Sequence, residues 1–231
     1  MKGQNGNMTK VPLNAQQDHW ERTFEKNTDM FGTEPSHPAC KAAELFKKEG
    51  KRRILELGAG QGRDTLLFAQ EGFQVYALDY AQKGTEEIKI KANRLGLSQS
   101  VVVHQHDIRQ PLPFDDGFFE GCYSHMLYCM ALTTSELEFL SKEIWRVLKV
   151  QGLNLYTVRN TMDANYRTGI HRGEDMWEIG KGFIVHFFSK EKVAHLAKGY
   201  EIVDVEEFEE GELPKRLFAV TLRKSRQNLV K

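Results

Sequence analysis

From residue 51 onward, short apolar runs alternate with longer stretches in which apolar residues recur at helical spacing. The apolar runs predict strands at 53–57, 73–78, 101–105, 118–124 and 153–158. The stretches between them predict helices, and the regions 61–70, 81–95 and 135–148 are the clearest of these. Because strands separated by helices need crossover connections, the pattern predicts an α/β fold with a largely parallel sheet.

The alternation stops at 160–187, a polar segment with glycines and scattered aromatic residues. A helix is expected at 189–198, followed by two apolar runs at 201–208 and 217–222. The link between these runs is short enough for a hairpin, so the last two strands are predicted to be antiparallel. The glutamate-rich run from Glu206 to Glu212 is expected to be a solvated edge.

The first fifty residues do not share this alternation. Residues 1–16 are rich in asparagine, glutamine, glycine and lysine, which is typical of a mobile tail. Aromatic residues at helical spacing predict a short amphipathic helix over 17–31, and a second helix is expected at 38–48. We therefore expect a helical unit at 17–50 and the main domain at 51–225.

Charge and cysteine content narrow the functional classes. Lys+Arg and Asp+Glu number 32 each, so the net charge is zero, which disfavours the basic footprint of a nucleic-acid-binding protein. The three cysteines have no metal-ligand spacing, so neither a disulfide framework nor a metal site is expected. With no signal-peptide pattern and no apolar run long enough to span a bilayer, the expected location is the cytoplasm.

The candidate chemistry begins where the first predicted strand ends. There the chain reads Glu56-Leu-Gly-Ala-Gly-Gln-Gly62, with glycines at alternate positions, and the next predicted strand ends in Asp79. Glycines let a backbone turn sharply and lie against a ligand, and a carboxylate at a neighbouring strand end can accept ribose hydroxyls. The pattern predicts a nucleoside site. A dinucleotide fingerprint would place its third glycine at position 63, which is arginine, so a nicotinamide cofactor is disfavoured.

This loop resembles motif I of class I S-adenosylmethionine-dependent methyltransferases. The similarity covers about residues 50–223 and includes three further segments, His106-Asp107-Ile108, residues 113–120 and Leu148-Lys-Val-Gln-Gly-Leu. The resemblance implies a Rossmann-like three-layer sandwich with a seven-stranded, mostly parallel sheet and an antiparallel last strand. It also implies S-adenosyl-L-methionine as the cofactor. Asp79 would then accept the ribose hydroxyls and Asp107 would contact the adenine. The implied cofactor-binding residues are Glu56, Gly58, Ala59, Gly60, Gly62, Asp79, Tyr80, Asp107, Ile108 and Ser124.

The acceptor should lie beyond the carboxyl ends of the strands. His125 is the candidate general base, although it could instead pack against the cofactor. Tyr128 could orient the acceptor or fill the pocket wall, and Arg159 could bind an anionic acceptor or cap its strand. Segment 160–187 is expected on the substrate side. The aromatic residues of 17–31 either form a lid over the cofactor or pack on the helices of the domain.

The motifs of adenine-N6, glutamine and cytosine-C5 methyltransferases are absent, which leaves a small-molecule acceptor as the leading interpretation. A looser resemblance to tellurite-resistance-type methyltransferases rests on Phe183–Phe187 and Arg216–Lys224. It implies a metalloid oxyanion or another soft nucleophile as acceptor, with Arg216 as an anion contact. The alternatives are a protein or peptide methyltransferase that docks its substrate on 160–187, and a cofactor-binding protein without transferase activity.

Overall fold

The computed structural model describes residues 13–180, 182–211 and 215–225. Its helices are α1 (Leu13–Lys26), α2 (His37–Lys48), α3 (Arg63–Gln70), α4 (Gln82–Arg94), α5 (Thr134–Val147) and α6 (Lys190–Leu196). Its strands are β1 (Arg53–Leu57), β2 (Gln74–Asp79), β3 (Val101–Gln105), β4 (Phe119–His125), β5 (Leu148–Arg159), β6 (Ile170–His171), β7 (Met176–Gly180), β8 (Phe183–His186), β9 (Tyr200–Glu210) and β10 (Lys215–Lys224).

The main sheet has seven strands in the order β3-β2-β1-β4-β5-β10-β9. Strands β1 to β5 run parallel, whereas β10 pairs antiparallel with both β5 and β9. This arrangement confirms the predicted fold class and the predicted hairpin at the end of the chain. The carboxyl ends of β1 to β5, the end of β9 and the start of β10 therefore lie along one edge of the sheet.

Helices cover both faces of the sheet, which gives three layers. Alternate side chains of a strand point to opposite faces. Ile54 accordingly packs in the core beneath α2, α3 and α4, whereas its neighbour Leu55 packs in the core beneath α5 and α6. Helix α5 begins with a capping box in which Thr133 and Glu136 satisfy each other's backbone N–H groups, as its threonine- and serine-rich start suggests.

Several predicted boundaries are wrong. Helix α1 begins at Leu13, so residues 13–16 belong to a helix and not to the expected tail, while residues 1–12 lie outside the described residues. The same helix ends at Lys26, and turns follow where the prediction continued to residue 31. Helix α3 begins at Arg63 because Gly62, with φ of 87°, still belongs to the loop before it.

Segment 160–187 contains a second, antiparallel sheet in the order β6-β7-β8. Its strands are short and interrupted by glycines, so the sequence shows no clear alternation there. The segment is nevertheless anchored in the domain, since Val185 and Phe187 are completely buried in the core beneath α5 and α6. None of the helices in the described part of the chain is long and apolar enough to cross a membrane.

Candidate active site

The glycine loop follows β1 and is held in place by Asp79 at the end of β2. Gly58, Gly60 and Gly62 have φ values of 68°, 55° and 87°, a backbone region that side chains with a Cβ rarely adopt. Gly60 donates its backbone N–H to Oδ2 of Asp79 at 2.8 Å, and Ala81 donates to Oδ1 at 2.8 Å. Each carboxylate oxygen accepts more than one hydrogen bond, so Asp79 can hold the loop and accept ligand hydroxyls as well.

Helix α4 packs so closely against this loop that two positions exclude any side chain. A Cβ on Gly84 would lie 2.5 Å from the carbonyl oxygen of Gly60, and one on Gly62 would lie 2.7 Å from Cγ1 of Ile88. Sequence reasoning missed Gly84, although a glycine in the first turn of a helix is a signal of close packing.

Burial sets the charge state of the acids near the loop. Burial raises the pKa of Asp79 to about 6, and the hydrogen bonds from Ala81 and Gly60 oppose this rise. Burial also raises the pKa of Glu56 well above its usual value, and the negative charge of Asp64 adds to that rise. The hydroxyl of Thr65 donates to Glu56 and satisfies one of its oxygens.

Asp107, which follows β3, faces the same cavity but is already engaged. Arg109 donates to both of its carboxylate oxygens, with Nε 2.8 Å from Oδ1. Burial raises the pKa of Asp107, but the hydrogen bonds from Arg109 outweigh this effect and hold that pKa below its usual value. Sequence reasoning missed Arg109. The adenine-contacting role of Asp107 stays a prediction.

One cavity of about 620 Å³ runs along the carboxyl edge of the sheet. It joins Asp107, Asp79 and the glycine loop to His125, Arg159 and Glu210. Tyr80, Ile108, Ala59 and Glu56 also line it. The volume suits a drug-sized ligand. The glycine backbone, the buried acids and Asp79 form the floor of the cavity, and Asp79 can still accept further hydrogen bonds. This floor fits a nucleoside that carries a positive charge.

His125 ends β4, and two partners determine the orientation of its ring. Its Nδ1 lies 2.8 Å from Oγ1 of Thr157, which also accepts the backbone N–H of Met126 at 2.9 Å. Its Nε2 lies 3.4 Å from Oε1 of Glu210, at the end of β9. The hydrogen bond with His125 lowers the pKa of Glu210. Glu210 was missed because its run of glutamates predicts a solvated edge.

A comparison with known protein families finds a match for the part of the chain that contains the glycine loop of this site. Residues 54–152 match the family described as "Methyltransferase domain". Residues 54–152, less than half of the 231-residue chain, are thus identified as a methyltransferase domain. The matched residues include the glycine loop, Asp79, Asp107 and His125, and the cofactor of the family is S-adenosylmethionine. The family and its cofactor were both predicted from the sequence, and both predictions are confirmed.

Two curated relatives resemble the chain over part of their length. The "Putative methyltransferase YqeM" of Bacillus subtilis (strain 168) is 29% identical over 114 residues, which is 48% of this chain and 44% of that protein. A second relative, from Geobacillus sp. (strain WCH70), is 25% identical over 173 residues, which is 72% of this chain and 61% of that protein. The chain thus matches about half the length of these relatives.

Solved structures share the fold of the methyltransferase domain. The 1,6-didemethyltoxoflavin-N1-methyltransferase of Burkholderia thailandensis, solved with S-adenosylhomocysteine, has a TM-score of 0.71 at 18% identity, covering 92% of this chain and 88% of that one. TehB from Haemophilus influenzae has a TM-score of 0.66 at 16% identity, covering 89% and 67%.

Two predicted site residues do not line the cavity of the methyltransferase domain. Tyr128 is 1% exposed, stacks on Tyr156 with ring centroids 4.2 Å apart, and accepts a hydrogen bond from Asn154. It fills the core beside the cavity, and an orienting role for its hydroxyl stays a prediction. Ser124 precedes His125 in β4, is also 1% exposed and is not part of the cavity wall, and its contact with the cofactor stays a prediction. Adjacent strand residues face opposite sides of the sheet.

The two arginines considered as anion contacts are both paired with acids. Arg159 lines the cavity but is buried and donates to Asp163 through Nε at 2.9 Å and Nη2 at 2.6 Å. Its charge is therefore compensated inside the protein. Arg216 lies outside the cavity wall, is exposed, and its Nε is 3.2 Å from Oε1 of Glu209. The predicted contact between Arg216 and the acceptor is therefore wrong.

Helix α1 and the turns that follow it form a wall of the cavity. Trp20, Phe24, Met30 and Phe31 all line it, and Phe24 also packs against Gly60. The helix is tied to both halves of the site. Gln17 donates to the carbonyl of Tyr80 at 3.0 Å, and Gln16 donates to the carbonyl of Gly182 at 2.8 Å. Helix α1 therefore lies over one side of the cavity, where a cap was predicted. The opening of this helix as a lid stays a prediction.

Proposed function

We propose that this chain transfers a methyl group from S-adenosylmethionine to a small-molecule acceptor bound in the cavity beneath α1. The observation that carries the proposal is the continuity of the cavity. One space of about 620 Å³ connects the nucleoside-binding end of the sheet edge to His125 and Glu210. A donor and a small acceptor can therefore lie next to each other in one continuous space.

Bound S-adenosylmethionine supplies an electrophilic methyl group on a sulfonium. Transfer of that group is an in-line displacement, so the protein contributes mainly alignment and exclusion of water. The glycine loop and Asp79 would hold the donor, and Asp107 would contact its adenine. His125, oriented by Thr157, is the group on the cavity wall best placed to receive an acceptor proton. We also propose a cytoplasmic location, as the cysteine pattern suggests.

A small acceptor is favoured over a peptide because aromatic side chains of α1 and β8 cover the cavity. Trp20 and Phe183 meet over it with ring centroids 6.0 Å apart. A peptide substrate would need an open groove beside 160–187, but β7 and β8 of that segment already pair with each other. The resemblance to tellurite-resistance-type proteins, and the neighbour TehB, keep a metalloid oxyanion or another soft nucleophile among the acceptors to be tested.

The decisive experiment has a binding stage and a transfer stage. Calorimetry with S-adenosylhomocysteine and with NAD tests the cofactor, and binding of NAD but not S-adenosylhomocysteine would refute the proposal. A labelled-methyl assay over amines, thiols, metalloid oxyanions and cell extract then tests the acceptor. Label recovered only in macromolecules would favour the protein methyltransferase, and tight cofactor binding without any transfer would favour a cofactor-binding protein.

A further inference from the structure

Glu210 is a carboxylate on the cavity wall that no arginine or lysine holds. Its one ion-pair partner among the residues that the structure describes is His125, 3.4 Å away, and 28% of its side chain is exposed. The acids at the other end of the cavity are engaged, Asp79 by two backbone N–H groups and Asp107 by Arg109. Glu210 is therefore positioned to accept a hydrogen bond from a ligand.

The sheet order places this carboxylate where the acceptor is expected. Asp107 follows β3 at one end of the sheet edge, the glycine loop follows β1 in the middle, and Glu210 ends β9 at the other end. A donor that spans Asp107 and the glycine loop leaves the part of the cavity toward β9 for the acceptor.

The cations near Glu210 leave it ionised and do not replace it as the recognition group. His125 lowers the pKa of Glu210 most, and the charges of Lys215, across the strand pair, and of Arg63, on the cavity wall, lower it further. An ionised carboxylate only accepts hydrogen bonds. Arg159 adds no free positive charge, since Asp163 compensates it within the protein.

We propose that Glu210 recognises the methyl acceptor by accepting an N–H from a nitrogen group on a flat, apolar molecule. This inference rests on the proposed function and names its substrate class. A charge-assisted N–H···O bond is among the stronger polar contacts in proteins, whereas an oxyanion beside Glu210 would be repelled. The aromatic rings of Trp20 and Phe183 provide the surface for the flat part of the acceptor.

The same contact suits the chemistry of the transfer. A neutral nitrogen that donates its N–H to Glu210 keeps its lone pair free to face the methyl group. That lone pair forms the nitrogen–carbon bond, while the carbon–sulfur bond breaks and its electron pair stays on sulfur. The nitrogen then gives its proton to the pair formed by Glu210 and His125, because the carboxylate already accepts that N–H and Nε2 of the imidazole lies 3.4 Å from it. Glu210 is thus a recognition residue that also acts together with His125.

Two flat probes of the same shape and opposite hydrogen-bonding character test the inference. Benzamidine is a cation that presents only N–H donors, and benzoate is an anion that presents only acceptors. Their affinities are measured by calorimetry on the full chain saturated with S-adenosylhomocysteine, with selenite as the oxyanion probe. We expect benzamidine to bind at least about tenfold more tightly than benzoate or selenite, the margin typical of one hydrogen bond to a charged group.

Glu210→Gln keeps the shape of the side chain and removes its charge. It is expected to weaken benzamidine binding by about tenfold or more while leaving the affinity for S-adenosylhomocysteine unchanged. Glu209→Gln is the matched control, because the neighbouring glutamate pairs with Arg216 outside the cavity, and it should change neither affinity. Retained S-adenosylhomocysteine binding shows that each variant is folded.

The outcomes separate this inference from the function on which it rests. Equal or stronger binding of benzoate or selenite, or no binding of benzamidine, overturns it, and a preference for benzoate would assign recognition to Lys215 or Arg63. Unchanged benzamidine binding in Glu210→Gln also overturns it. Failure of the wild-type chain to bind S-adenosylhomocysteine would instead refute the proposed function.

Discussion

The two ends of the cavity are built in different ways. The donor end consists of residues 54–108, a continuous stretch in which backbone groups and glycines shape the surface. The acceptor end combines α1, the β7–β8 pair and the ends of β9 and β10. The hydrogen bond from Gln16 to Gly182 joins positions 166 residues apart in the chain.

This difference determines how each end responds to substitution. At the donor end the backbone conformation is the binding surface, so a change at Asp79 or a loop glycine acts directly on the cofactor. At the acceptor end the wall depends on Asp163, which pairs with Arg159 and also accepts the backbone N–H of Arg216 at the start of β10. Substitutions there should divide into those that weaken the framework and those that change recognition.

The largest effect is expected from Asp163→Ala, which breaks the framework of the acceptor end. It leaves Arg159, 3% exposed, without its bidentate partner and removes acceptors for the backbone N–H groups of Asn165 and Arg216. The loss of unfolding free energy should be about 3–5 kcal/mol, as for other broken buried ion pairs, measured by urea denaturation. The double variant Asp163→Ala/Arg159→Met should recover part of this loss. A loss below about 1 kcal/mol would contradict the structural role of the pair.

The next effect concerns the donor end. Asp79→Ala removes the acceptor of the Gly60 N–H and the expected partner of the ribose hydroxyls. Affinity for S-adenosylhomocysteine should fall by about 100-fold, since hydrogen bonds to charged groups contribute about 1.5–3 kcal/mol each. Asp79→Asn, which keeps one oxygen, should lose less. Calorimetry measures both variants, and unchanged affinity in Asp79→Ala would remove Asp79 from the ribose role.

A pair of glycine variants isolates the close packing of α4 on the loop. Gly62 and Gly72 have the same φ of 87°, but a Cβ on Gly62 meets Ile88 at 2.7 Å, whereas one on Gly72 meets nothing within 4 Å. Gly62→Ala should therefore cost about 1–3 kcal/mol more unfolding free energy than Gly72→Ala, because it adds overpacking to the same backbone strain. Equal losses in urea denaturation would show that the loop can move away from α4.

The smallest expected effect is a pH dependence at the donor end alone. The free protein has Asp79 with a pKa of about 6, so this residue is ionised at neutral pH and protonated in acid. The ionised form is the better acceptor for ribose hydroxyls. Affinity for S-adenosylhomocysteine should therefore be constant above pH 6 and fall by up to about tenfold per pH unit below it. Asp79→Asn should flatten this profile. An affinity that rises on acidification would contradict the role of the carboxylate.

The sequence predicts the donor end well because its signals are local. Strand periodicity, alternate glycines and an acid at the next strand end lie within a few tens of residues, and the structure brings Gly60 and Asp79 into contact. The acceptor end depends on which distant segments meet. Nothing near Glu210 indicates that it approaches His125, and nothing near Gln16 indicates that it reaches the carbonyl of Gly182.

Strand faces explain why Ser124 does not line the cavity. A run such as Ser124-His125 in β4 offers adjacent positions, and only alternate residues point to the same side. If both residues are predicted to line the cavity, at least one of the two must instead point into the core. Tyr128 was ambiguous for another reason, since a tyrosine beside a predicted pocket can line it or support it from behind, and here it stacks on Tyr156.

The pairing of β9 with β10 has a consequence for how acceptor preference could diverge among related chains. Glu209 and Glu210 lie on opposite faces of β9, and the register of the pair already shifts once, between Thr221 and Leu222. Since a slip of one residue exchanges the faces of a strand, inserting or deleting one residue in β9 would move a different side chain into the cavity. The substrate preference would then change without any substitution in the pocket, and the donor end would stay unchanged.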